Sequence, residues 1–152
     1  MSQENMLKSI RLFGLLIILT SIYNFGYKNF LVIGDSMNPS KEHLDIVLID
    51  KLYYDFQDPQ QGDVIVFYDY ESGEFMIKRV IGLPGDIIQI IDGYIYKNDE
   101  LYIDDFTHVK TGNTTYYPEE VREGEYWVIG DNRDDSWWGI IYADEIIGKI
   151  KQ

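Results

Sequence analysis

An apolar run near the amino terminus limits every arrangement open to this chain. Leu12-Phe13-Gly14-Leu15-Leu16-Ile17-Ile18-Leu19-Thr20-Ser21-Ile22-Tyr23 follows Lys8 and Arg11 and carries no charge. It is apolar all round, whereas a helix packed on a soluble core shows a one-sided stripe. Crossing the hydrocarbon layer needs about 20 residues. Extension to Phe30 reaches that length, with Tyr23, Tyr27 and Phe30 as interfacial aromatics and Lys28 extending its amine to water. A cleaved leader has the same charged start, but Thr20 to Lys28 offers no Ala-x-Ala pattern. Residues 1-30 are therefore expected to form a cytoplasmic tip and one transmembrane helix. The basic flank puts the N-terminus in the cytoplasm and the rest of the chain outside the cell membrane, as a single-pass protein.

Beyond Phe30 the pattern is one of short strands. Asp45-Ile46-Val47-Leu48-Ile49-Asp50 and Gly62-Asp63-Val64-Ile65-Val66-Phe67-Tyr68 are β-branched runs, with a loop at Gln57 to Gly62. Glu74 to Ile81 is a third. Leu83-Pro84-Gly85-Asp86 has Pro and Gly where a type II turn needs them. Asp92-Gly93 between Ile87–Ile91 and Tyr94–Tyr96 is a hairpin signal. Residues 104-125 read as a loop-rich excursion, Glu125 to Ile129 as a strand, and 140-150 as a closing apolar alternation. Strands this closely spaced predict an antiparallel barrel or sandwich, not a βαβ layout.

Charge narrows the partners. The chain carries 26 Asp and Glu against 13 Lys and Arg, and the first thirty residues hold only one of the acids, Glu4. So acidic a body repels phosphate backbones, which excludes nucleic acid as partner. The absence of cysteine excludes disulfides, thiolate metal sites and a Cys nucleophile. The loop from Asp131 is a poor calcium site, with Arg133 and Ser136 at positions that need an oxygen ligand and a glycine. His43 and His108 lack ligand or triad spacing and read as surface residues. No metal and no cofactor are expected.

Three segments could carry chemistry. Ser36, in Gly34-Asp35-Ser36-Met37-Asn38-Pro39, follows the extended Phe30-Leu31-Val32-Ile33 and a glycine that permits close approach of other backbone. On the strand Glu74–Ile81, Met76, Lys78 and Val80 share one face. A Lys between apolar neighbours can lose its proton near neutral pH and then accept one from a hydroxyl. The turn-rich Gly130-Asp131-Asn132-Arg133-Asp134-Asp135-Ser136 could supply orienting hydroxyls and an acidic partner for Arg79.

Taken together, Gly34–Pro39, Gly62-Asp63-Val64-Ile65-Val66-Phe67, Lys78-Arg79-Val80-Ile81-Gly82-Leu83-Pro84-Gly85-Asp86 and Gly130–Ser136, behind an amino-terminal anchor, resemble the ordered boxes of type I signal peptidases. The resemblance implies a mainly β fold, with an antiparallel β-barrel-like catalytic core (31-91 and 126-152) and a small hairpin-and-loop cap inserted at 92-125. It implies a membrane-bound serine endopeptidase that cleaves signal peptides after small residues. Ser36 matches the nucleophile, Lys78 the general base, and Ser136 the serine that orients the lysine, with Asp131 and Arg79 in support. The backbone of Ser36 would help hold the oxyanion, and Gly34 stands where some members carry a hydroxyl. Substrate would lie extended beside Gly34, Asp35, Met37, Met76 and Ile77. The implied partners are membrane lipid and preprotein signal peptides, general or from a dedicated client such as a pilin. In many members an Asp-Ser-Arg element follows the last serine; here Ser136 runs directly into Trp137-Trp138-Gly139. That departure motivates one alternative, a non-catalytic relative assisting surface pilus assembly.

Overall fold

The computed structural model describes residues 3–106, 110–112 and 114–151; His108 lies outside them. Helix α1 spans Gln3–Gly26, and Gly26 is its one buried residue. At 1.5 Å per residue it is about 36 Å long, enough to cross a bilayer. It stops before the expected Phe30 and gains its length from the amino-terminal side. Two facts explain the stop. Lys51 caps the helix end, its N–H donating to the Gly26 carbonyl at 2.8 Å and its Nζ to that of Asn24 at 3.0 Å, so orphan carbonyls are satisfied. Tyr27 onward instead pairs with a strand.

That strand is β1 (Tyr27–Leu31), and it opens a seven-stranded antiparallel sheet. The other members are β2 (Ile46–Asp50), β3 (Val64–Asp69), β4 (Glu74–Gly82), β9 (Glu125–Ile129), β10 (Trp138–Tyr142) and β11 (Ile146–Ile150), in the order β1-β2-β11-β3-β4-β9-β10. A second sheet holds β5 (Ile87–Ile91), β6 (Tyr94–Lys97), β7 (Glu100–Leu101) and β8 (Tyr116–Glu120), in the order β7-β6-β5-β8. The fold is thus mainly antiparallel β behind one apolar helix. The larger sheet is open, with β1 and β10 as its edges, so the expected barrel does not close.

Strand β3 is covered on both faces, which is why Val64-Ile65-Val66-Phe67 reads as an unbroken apolar run. Val64 and Val66 join Val32, Met37, Val47, Ile49 and Ile150 in one cluster. Ile65 and Phe67 join Val80, Tyr126, Val128 and Ile141 in another. A third cluster ties the small sheet to the large one through Ile81, Ile88, Ile90, Val121, Trp127 and Ile129.

The turns follow their sequence signals. Asp92 and Gly93 take φ of 51° and 81°, as a two-residue hairpin demands. Gly85 has φ of 90°, and Asp86 N–H donates to the Leu83 carbonyl at 2.9 Å. Strand β8 lies inside the segment read as loop. Its Pro118 and four exposed positions hide it from a pattern search, and a proline is tolerated because β8 is an edge.

Gly82 sits where the two sheets meet. A Cβ there would lie 2.9 Å from the Trp127 Cβ and 3.0 Å from Ile88. Gly82→Ala is expected to lower stability by about 1–3 kcal/mol through overpacking, read from denaturant unfolding of the detergent-solubilised chain.

Candidate active site

The loop between β1 and β2 is closed at its base by Leu44 N–H donating to the Val32 carbonyl and Val32 N–H to that of Asp45, each at 2.9 Å. Met37 pins its middle, since the side chain is 1% exposed within the first cluster. Gly34 turns the chain with φ of 97°, and its N–H donates to Nδ1 of His43 at 3.0 Å. Ser36 is thereby held between an anchored methionine and a glycine turn. His43 is on the surface, as expected, yet it fixes this turn.

Lys78 lies in β4 directly across from Ile65. It is 4% exposed, and its Nζ donates to Ser36 Oγ at 2.8 Å. Met76 and Val80 flank it in the cluster that contains Ile65, as the strand alternation predicts. Burial among these side chains pushes the amine down to about 8, against a smaller opposing pull from the Asp131 carboxylate. At pH 7 roughly one such amine in ten is uncharged, against fewer than about one in a thousand for a free lysine. An uncharged amine at this distance can accept a hydroxyl proton, so the arrangement is chemically able to activate a serine.

The loop after β9 closes over this pair. Asn132 N–H donates to the Ser36 carbonyl at 3.0 Å, and Asn132 Nδ2 to that of Asp35 at 3.1 Å. A Cβ on Gly130 would collide with the Ser36 carbonyl and with Ser136 Oγ, so only glycine lets the two loops touch. Asp131 is 2% exposed and grips Arg79 in a two-pronged pair, Nε to Oδ1 at 2.6 Å and Nη2 to Oδ2 at 2.7 Å. Ser40 donates to the same carboxylate, and Arg79 Nη1 reaches the Gly62 carbonyl at 2.7 Å. Asp131 and Arg79 together therefore link the Ser36 loop, β4 and the loop before β3.

Ser136 is placed differently from what the resemblance implies. Its hydroxyl accepts from Gly130 N–H at 2.9 Å and donates to the Trp137 carbonyl at 2.9 Å. Among the described residues no hydrogen bond joins it to Lys78. The sequence marks Gly130 and Asn132 only as members of the Gly130–Ser136 box, with no role of their own, and does not mark Ser40. The signal for Gly130 was present, a glycine at the end of a buried strand, but its contact with Ser36 spans most of the chain.

A cleft of about 300 Å³ runs along the pair. Phe30 to Gly34 and Glu74 to Ile77 line it, with Ser36, Met37, Lys78 and Trp137. Gly34, Met37, Met76 and Ile77 thus border it; Asp35 is exposed and does not. Trp137 leans on Phe67 at 6.2 Å between ring centroids, whereas Trp138 packs between Trp127 and Tyr116. Strand β9 pairs with β4 only from Arg79 onward, so among the described strands Glu74 to Lys78 has one edge unpaired. Such an edge can accept an extended peptide.

A profile of the family described as "Signal peptidase, peptidase S26" matches residues 5–152. Signal peptidase I U of Bacillus subtilis is 33% identical, over 97% of this chain and 88% of that protein. Signal peptidase I of Leptolyngbya laminosa is 32% identical, over 95% and 77%. The crystal structure of a signal peptidase I from Enterococcus faecalis superposes with a TM-score of 0.52 at 28% identity, covering 62% of this chain and 98% of that one. With an apolar anchor, a seven-stranded core and a family match from end to end, this chain belongs to the signal peptidase family, peptidase S26, and is a serine-peptidase hydrolase.

Proposed function

We propose that this protein is a membrane-anchored endopeptidase that removes signal peptides from exported preproteins, with Ser36 as nucleophile and Lys78 as general base. The observation that carries the reading is the 2.8 Å contact between a buried amine and the Ser36 hydroxyl at the edge of an open cleft. The non-catalytic alternative finds no support in a site where the two groups touch.

In this reading the preprotein enters extended, between the chain before Ser36 and the free edge of Glu74 to Lys78, with small side chains facing the cleft. Lys78 Nζ, uncharged, takes the proton from Ser36 Oγ as the oxygen attacks the scissile carbonyl carbon. The resulting oxyanion is met by the Ser36 N–H. The ammonium then returns the proton to the leaving amine, and the mature chain departs. Lys78 next takes a proton from water, which attacks the acyl ester and frees the signal peptide with Ser36 restored. Arg79 and Asp131 hold the two loops together, and Ser136 supports the Gly130 turn. The basic flank of α1 puts the N-terminus in the cytoplasm and the cleft outside, close above the lipid.

Ser36→Ala and Lys78→Ala are each expected to abolish preprotein cleavage in detergent micelles while circular dichroism is unchanged. Full cleavage by either variant would reject the pair. Because the active form is the uncharged amine, kcat/KM should rise with pH and level off above about 8. A free-amine titration of Lys78, near 10.5, is the contrary outcome.

The same burial has a stability cost. The folded amine releases its proton about where burial sets it, near 8, and the unfolded one near 10.5. The folded state therefore binds fewer protons between those values, and stability rises with pH across that window. Below it the penalty is complete. Lys78→Met is expected to be inactive yet more stable at pH 7 by roughly 1–3 kcal/mol. The gain should shrink as pH rises from 8 toward 10.5, measured by thermal unfolding against pH.

A further inference from the structure

Arg133, in the loop after β9, is 3% exposed. Its Nε donates to the Gly130 carbonyl at 3.1 Å. Its carboxylate partner comes from the cap: Asp104 forms a close ion pair with Nη2. Asp134 and Asp135 of Arg133's own loop are exposed, and neither is that partner. A guanidinium this deep is costly unless a carboxylate meets it.

Two residues beyond Asp104 is Phe106, whose N–H donates to Asp104 Oδ1 at 3.0 Å. The Phe106 ring centroid lies 5.2 Å from the guanidinium carbon of Arg79 and 5.8 Å from that of Arg133. One ring thus faces both cations at cation–π distance. Each cation leads to the reacting pair. Arg79 holds Asp131, which binds Ser40 of the Ser36 loop. Arg133 holds the carbonyl of Gly130, the residue against which the Ser36 carbonyl packs.

We propose that the Asp104-Asp105-Phe106 turn of the cap is a positioning element of the active site. Asp104 fixes Arg133 and Phe106 covers both guanidinium groups, so Gly130 and Asp131 stay pressed against the Ser36 loop. The last box, shortened after Ser136, takes its acidic support from the cap. Asp104 and Phe106 are positioning residues; they do not touch the cleft. The inference rests on the reading of Ser36 and Lys78 as the reacting pair.

The test uses the full chain in detergent with a preprotein substrate. Asp104→Asn keeps the shape and removes the charge. It is expected to lower kcat roughly tenfold or more, since small misplacements of reacting groups are costly, with KM within about twofold. Asp104→Glu should recover most of the loss. In an Arg133→Met background, Asp104→Asn should cost nothing further, because both changes break one link. Phe106→Leu, which leaves the ion pair, should lower kcat less and also spare KM, and it decides the matter if Asp104→Asn fails to fold. Wild-type kcat in both cap variants, an effect on KM alone, or an undiminished loss in the Arg133→Met background would overturn the proposal. Ser36→Ala assayed alongside separates the two readings: cleavage retained there sinks the reacting pair, whereas its loss beside wild-type kcat in the cap variants sinks only the positioning role.

Discussion

The dehydration of one amine organises this molecule. Lys78 is buried on a strand whose neighbours on the same face are Met76 and Val80, opposite Ile65. The sheet covers the amine on that side, and the loop after β9 packs on the Ser36 backbone beside it, which leaves the amine only its cleft-facing edge. Both walls are needed, because an amine left in contact with water keeps its proton at neutral pH. The close approach at Gly130, the buried Asp131 and the Met37 anchor can all be read as means of keeping that second wall shut. Among the described residues the carboxylate that pulls on Lys78 is Asp131, and it is largely taken up by Arg79 and Ser40. Its pull on Lys78 is therefore too small to restore an ordinary ammonium.

Much of this was legible in the chain itself. The anchor is legible because its signal is compositional and needs no partner. The faces of β4 are legible because strand period is two, and the alternation around Lys78 needs nothing beyond local geometry. The hairpin at Asp92-Gly93 and the turn at Pro84-Gly85 are legible because few residues accept their backbone angles. The resemblance to the signal peptidase boxes then joined segments that periodicity alone leaves unconnected.

The rest was hidden for physical reasons. Strand β8 is an exposed edge, so neither burial nor alternation marks it, and Pro118 argues against it on propensity. Trp138–Tyr142 and Ile146–Ile150 read from sequence as one closing stretch, because the turn at Ala143–Glu145 between them carries neither Gly nor Pro. Contacts such as Asn132 to Ser36 and Asp104 to Arg133 join residues far apart in sequence, where no local rule operates. Ser136 shows the limit of carrying a role across a family. Its loop runs straight into Trp137, and the hydroxyl serves the Gly130 N–H and the Trp137 carbonyl. The helix end at Gly26 is not legible in the sequence, because aromatic composition says where lipid headgroups suit a chain, but not where a neighbouring strand captures it.

That junction has a mechanical meaning. Gly26 ends α1 and Tyr27 begins β1, with no residue between them; the same backbone then runs through Phe30 to Gly34 as one wall of the cleft. Helix and cleft wall are therefore joined without a linker, and Lys51 bonds to the last carbonyls at the joint. A tilt of α1 would act directly on the first residue of β1. A residue inserted at the joint would have to be taken up on the helix side, because β1 is held in register by its five pairs with β2, from Tyr27 with Asp50 to Leu31 with Ile46.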